Sequence, residues 1–274
     1  MVDMPASLAP QAEVVADIRA RLAAIATEQT VAIPLAVESG SRAWGFPSPD
    51  SDYDCRFVFV RPLHRHLTLF PERDVIEEPL TPLLDINGWE LAKAITLMLK
   101  GNAVILEWLG SPLVYRAERR FVDDFLALAE TVVDRAMIAR HYLHLGLGQR
   151  RAHLGDPAAV AGKKLFYTLR PALALRWLRV NPQRRVPPMD LASLLRQSEV
   201  AGGICALVEE LVRQKAQRRE IGTVAMPDEL IRFIDAEFAL ADAASTAPAP
   251  RLPEHLGAAD RFFQDTIRRF DTPA

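Results

Sequence analysis

Every segment with strand character in this chain lies before about residue 117, and beyond it apolar residues recur only at helical spacing. The early part opens with a predicted helix over about 8–28, where Val14, Ile18, Leu22 and Ile25 share one face. The β-prone run TVAIPLAVES follows and stops at the turn Gly40-Ser41. FPSPDSD, crowded with Pro, Ser and Asp, reads as a loop, and YDCRFVFV as a strand. Further strands are predicted near Leu67–Phe70 and Pro82–Asn87, then a helix from Trp89 to Lys100 closed by Gly101. The later part reads as helices over 117–131, 134–154, 159–180, 189–197, 200–219 and 227–242. After the proline-bearing linker ASTAPAPRLPE, a last helix is predicted over 254–269. The expected fold class is therefore α+β: a mixed sheet with helices over 1–116, followed by an all-helical domain over 117–274.

Charge is unevenly spread although the net charge is only −2. From Arg135 to Arg185 there are eleven Lys or Arg and a single acid, Asp156, whereas Glu72 to Glu90 is predominantly acidic. That polarity suits a place where cations and a polyphosphate meet; solvated helix faces are the plainer reading for most single arginines. The two cysteines, Cys55 and Cys205, have no metal-ligand spacing, so neither a zinc knuckle nor a disulfide framework is expected. Histidines form no ligand set, and His64 and His66 are given no role. With no secretory pattern at the amino terminus and no apolar run near ~20 residues, the chain is expected to be soluble, cytoplasmic and without a membrane partner.

The chemistry concentrates in GSRAWGFPSPDSDYD, Gly40 to Asp54. Gly40 follows a predicted strand, where the lack of a Cβ lets the backbone approach a ligand. Ser41 adds a hydroxyl and an amide, and Arg42 a fixed positive charge, together a cradle for outer phosphates. Asp52 and Asp54 are two apart, so in a strand both carboxylates project from one face. Their repulsion is reversed by a divalent cation, and Mg²⁺ favours carboxylate and phosphate oxygens. Arg56 continues that face, where it can neutralise an Asp or touch polyphosphate. Asp85 stands inside the apolar run PLLDI, a costly place for a carboxylate without a partner or a metal. If its strand lies beside YDCRFVFV, Asp85 meets Asp52 and Asp54 across ~4.8 Å. Singly, a Gly-Ser turn, an Asp-x-Asp and a lone strand Asp are weak signals; their order is what makes them specific.

ESGSRAWGFPSPDSDYDCRFVFV, LDINGWELAKAITLMLKGNAVILEWLGSPLVY and KKLFYTLRPALALRW resemble the RlaP-type nucleotidyltransferases of the DNA polymerase β superfamily, linked to RNA repair. The resemblance spans most of 35–180 and fades in the last third. It implies a minimal nucleotidyltransferase fold, dependence on Mg²⁺ (two ions, with Mn²⁺ as substitute) and an NTP substrate, ATP by default. It makes Gly40 and Ser41 the phosphate-binding turn, and Asp52, Asp54 and Asp85 the metal-binding catalytic carboxylates. The helical domain is then expected to complete the nucleotide pocket. Lys163 or Lys164 would act as a point charge on the phosphates, and Tyr167 and Arg170 continue that helical face. Packing is the competing role for Tyr167, as it is for Trp44, Trp89, Trp108 and Trp177.

The leading expectation is transfer of an NMP from an NTP to a hydroxyl, with pyrophosphate released and an RNA end as first-choice acceptor. A protein or small-molecule adenylyltransferase is the alternative enzyme, and a non-catalytic nucleotide or RNA sensor the alternative class.

Overall fold

A computed structural model describes residues 10–154, 160–217, 223–224, 226–246 and 252–271, without the side chains of 160–163 and 223–224. The predicted helix ends at 8–9, 159 and 218–219, and linker residues 247–251, lie outside the described residues. In chain order the elements are α1 (Ala12–Glu28), β1 (Ala32–Glu38), α2 (Ser41–Trp44), β2 (Tyr53–Val60), α3 (Leu63–His66), β3 (Val75–Glu77) and β4 (Leu84–Glu90). Next come α4 (Leu91–Leu99), α5 (Ala103–Leu109), β5 (Val114–Ala117), α6 (Arg119–Val132), α7 (Arg135–His153), β6 (Val160–Ala161) and α8 (Gly162–Val180). The chain continues with α9 (Leu191–Gln197), α10 (Gly202–Gln217), β7 (Thr223–Val224), α11 (Asp228–Ala243) and α12 (Pro253–Phe270). No helix among the described residues is long and apolar enough to cross a membrane.

Of the described residues, one compact unit holds 10–43, 52–133 and 252–271. Its five-stranded sheet runs β3-β4-β2-β1-β5. β2 and β4 are parallel, and the other neighbours are antiparallel. Alternation along β2 sends Tyr53, Cys55, Phe57 and Phe59 to one face. There they pack with Ile18, Leu22 and Ile25 of α1, and with Leu84 and Ile86 of β4. Asp54, Arg56 and Asp85 therefore project from the other face. At Gly88, a Cβ would fall 2.2 Å from the ring of its cross-strand neighbour Phe57, so only glycine lets this ring lie flat across β4.

Of the described residues, the other unit holds 44–51, 134–154, 160–217, 223–224 and 226–246, and it is helical apart from the β6–β7 pair. Gly146 of α7 lets Phe238 of α11 approach, since a Cβ there would stand 2.4 Å from that ring. Glu237, 4% exposed, ties α11 to Arg176 and Arg179 of α8. The segment between α2 and β2 is anchored here: Phe46 stacks on Phe166 with centroids 4.6 Å apart. Buried Lys215 of α10 donates to the Phe46 carbonyl at 2.6 Å.

The α+β architecture and its largely helical C-terminal region are as the sequence implies, but β6 and β7 pair antiparallel beyond residue 117, where no strand is expected, and there are further differences. No strand forms at Leu67–Phe70: Leu67, Leu69 and Phe70 are exposed, so their alternation has no face to bury, and the edge strand is Val75–Glu77 instead. α5 and β5, between the predicted helix at Trp89–Lys100 and residue 117, have no counterpart in the sequence reading. Trp89 and Trp108 take the packing role expected of them, but against each other, centroids 4.2 Å apart. Finally, the compact units follow no single cut at 116/117, because Phe121 and Phe125 of α6 pack against Phe262 of α12 within the sheet unit.

Candidate active site

β2 and β4 bring the predicted carboxylates together. In their parallel register Asp54 pairs with Asp85, and Asp52 sits two residues before Asp54, just ahead of the strand. A single guanidinium answers both paired acids. Arg56 Nη2 donates to Asp85 Oδ2 at 2.6 Å and to Asp54 Oδ1 at 3.3 Å. Its Nη1 donates to the carbonyls of Asp85 and Cys55 at 2.9 and 3.1 Å, which fixes the fork.

The Gly-Ser turn closes over the same carboxylate. A Cβ on Gly40 would fall 1.8 Å from Asp54 Oδ2, so the turn and the acid share space that only glycine leaves open. Ser41 and Arg42 begin α2 and are buried. The Arg42 guanidinium lies 4.0 Å from the Tyr53 ring centroid, and its Nε donates to the Asp52 carbonyl at 3.1 Å. Arg42 therefore braces the backbone of the Asp-x-Asp segment. That is a use beyond the phosphate contact expected of it.

One residue of this site escaped the sequence reading. Glu38, at the end of β1, is 0% exposed. Its Oε1 accepts from the amides of Gly40 at 3.1 Å and Asp54 at 3.0 Å, and its Oε2 from the Tyr115 hydroxyl. One carboxylate thus joins the turn, β2 and β5. The signal was present: an acid closing the apolar run AIPLAV is as costly to bury as Asp85 in PLLDI.

Electrostatics mark the cluster as strained for charge. Burial above all lifts Asp54 to about 6, with Asp52, Glu38 and Asp85 adding to the rise and Arg56 opposing it. Burial likewise raises Glu38, against its hydrogen bonds from Tyr115, Asp54 and Gly40. A polycation would relieve this crowding, and the donors are all oxygen, the set that suits Mg²⁺ or Mn²⁺. Among the described residues no three His, Cys, Asp or Glu side chains already stand as an assembled metal cage.

The remaining nucleotide-site candidates lie on α8 of the helical unit. Lys164 Nζ is 5.4 Å from the Tyr167 ring centroid, and Tyr167 meets Trp44 edge-on at 5.8 Å. Arg170 is 6% exposed, lies over Trp44 at 4.5 Å and donates to the Met189 carbonyl. It is a packed guanidinium rather than an open one. The side chain of Lys163 is outside the described residues.

Comparison with known proteins gives the family. A model of the RlaP family, described as the RNA repair pathway DNA polymerase beta family, matches residues 14–265. The uncharacterized protein YcgL of Bacillus subtilis (strain 168) is 39% identical over 207 residues, 76% of this chain and 78% of that protein.

Proposed function

Because the chain belongs to the RlaP family, the RNA repair pathway DNA polymerase beta family, we propose that it is a metal-dependent nucleotidyltransferase acting on an RNA end. The observation that carries this reading is the parallel pairing of Asp54 with Asp85 beside the Gly40-Ser41 turn, with Asp52 two residues away. Asp52, Asp54 and Asp85 are the residues that would hold Mg²⁺ or Mn²⁺. When bound, the ions would supply charge neutralisation at the polyphosphate and a more acidic acceptor hydroxyl. Gly40 and Ser41 present backbone to the outer phosphates, and Arg42 keeps the Asp52 backbone in place. Asp85 accepts the hydroxyl proton. The hydroxyl oxygen bonds to the α-phosphorus as the bond to the bridging oxygen breaks, and pyrophosphate leaves with that electron pair. ATP is taken first among the NTPs, and Arg170 is assigned to holding Trp44.

The family's place in RNA repair supports RNA over a protein or small-molecule hydroxyl. The test incubates the protein with each α-labelled NTP, Mg²⁺ or Mn²⁺, and a mixed pool of RNA and protein acceptors over a salt series. Label in RNA, falling steeply with salt as counterion release requires, is the expected result. Label in protein with little salt dependence would assign the acceptor to the adenylyltransferase class. Nucleotide binding with no label anywhere would leave a sensor.

A further inference from the structure

We propose that Arg56 is an internal counter-ion to Asp54 and Asp85 that competes with divalent cations for their oxygens and so sets how readily the site loads metal. The inference rests on the reading of Asp52, Asp54 and Asp85 as cation ligands. A divalent cation held by Asp54 and Asp85 would draw on the oxygens of both carboxylates. Arg56 Nη2 already lies against one oxygen of each, at 3.3 and 2.6 Å. The contact is built rather than incidental: Nη1 is held by two main-chain carbonyls, one from β2 and one from β4. The Arg56 side chain is 20% exposed, so solvent screens the pair only partly. The other cation near the cluster, Arg42, is directed to the Tyr53 ring and the Asp52 carbonyl. The Glu38 carboxylate accepts from Gly40, Asp54 and Tyr115.

A scaffold role and a competing role predict opposite signs. If Arg56 only arranges the carboxylates, its removal loosens metal binding. If it competes, removal tightens binding, because one positive charge and two hydrogen bonds no longer have to be displaced. Lysine keeps the charge but not the anchored fork.

The experiment is Mn²⁺ binding to the full chain, read by electron paramagnetic resonance of the free ion at pH 8, without nucleotide. Arg56→Gln is expected to bind Mn²⁺ about tenfold tighter than the wild type, and Arg56→Lys about threefold tighter. Unchanged or weaker binding by Arg56→Gln overturns the proposal. Should that variant fail to fold, as judged by circular dichroism, Arg56→Lys decides it by the same sign. Asp54→Ala separates the two levels. If Asp54→Ala loses Mn²⁺ but neither Arg56 variant gains, only the role of Arg56 falls; if Asp54→Ala binds like the wild type, the cation-ligand reading falls with it.

Discussion

The carboxylate of Asp54 occupies the space that any side chain on Gly40 would need, with Oδ2 1.8 Å from the position of its Cβ. Gly40→Ala must therefore push Asp54 away from Asp85 or open the turn. Since Asp54 also shares Arg56 with Asp85, the displacement reaches the whole acidic pair. Nucleotidyl transfer by Gly40→Ala should drop by about 10²-fold or more, with a stability loss of about 1–3 kcal/mol. Steady-state kinetics beside urea unfolding would check both, and an alanine variant with full activity would show that the close approach is unimportant.

Asp54 is raised from 3.8 to about 6, chiefly by burial. A carboxyl whose folded value lies above its unfolded value favours the folded state at low pH. That contribution is complete below about 4 and disappears as pH rises through about 6. At pH 8 the ionised Asp54 is thus a cost, and Asp54→Asn should be more stable than the wild type by about 1–3 kcal/mol, without divalent cation and without activity. The difference should shrink toward pH 4. A gap that stays constant with pH would mean that the charge is not its source.

Glu38 gives a third expectation. Alanine there leaves the amides of Gly40 and Asp54 and the Tyr115 hydroxyl without their buried acceptor. Glu38→Ala should lose about 3–5 kcal/mol in urea unfolding. Glu38→Gln keeps an oxygen for the two amides and an NH₂ for Tyr115, and should recover most of that loss. Equal losses in both variants would show that the charge, not the hydrogen bonds, is what matters.

In the helical unit, Lys215 is 2% exposed and holds the Phe46 carbonyl, with Phe46 and Phe166 rings beside its ammonium. Lys215→Ala should cost about 2–3 kcal/mol and speed hydrogen exchange at the amides of 44–51. Unchanged exchange in that segment would remove Lys215 as its anchor.

How much of this was written in the sequence depended on how local each signal was. Asp54 falls at the start of a strand and Asp85 stands alone in an apolar run, so their meeting across neighbouring strands was readable, whereas Asp52 lies ahead of β2, beyond the reach of strand alternation. The sequence offered only the assumption that their strands are neighbours; the parallel direction and the register that set Asp54 against Asp85 were not legible in it. Glu38 was missed because its role depends on donors spread along the chain, from Gly40 two residues on to Asp54 and, farthest, Tyr115 on β5. Leu67–Phe70 misled for the converse reason: its apolar alternation is genuine, but no partner strand or core covers it. The interleaved units were also out of reach, since residues 44–51 join the helices through Phe46, Phe166 and Lys215, contacts that no local pattern announces.

The most direct test of the central claim is the rate at which label passes from an α-³²P NTP to an RNA 3′ hydroxyl, compared between the wild type and Asp85→Asn. Asparagine preserves the size of the side chain and an oxygen for Arg56, but it cannot take up the hydroxyl proton or contribute a full ligand charge. The account predicts a fall of about 10³-fold or more with the fold intact. Transfer at the wild-type rate by folded Asp85→Asn would contradict it.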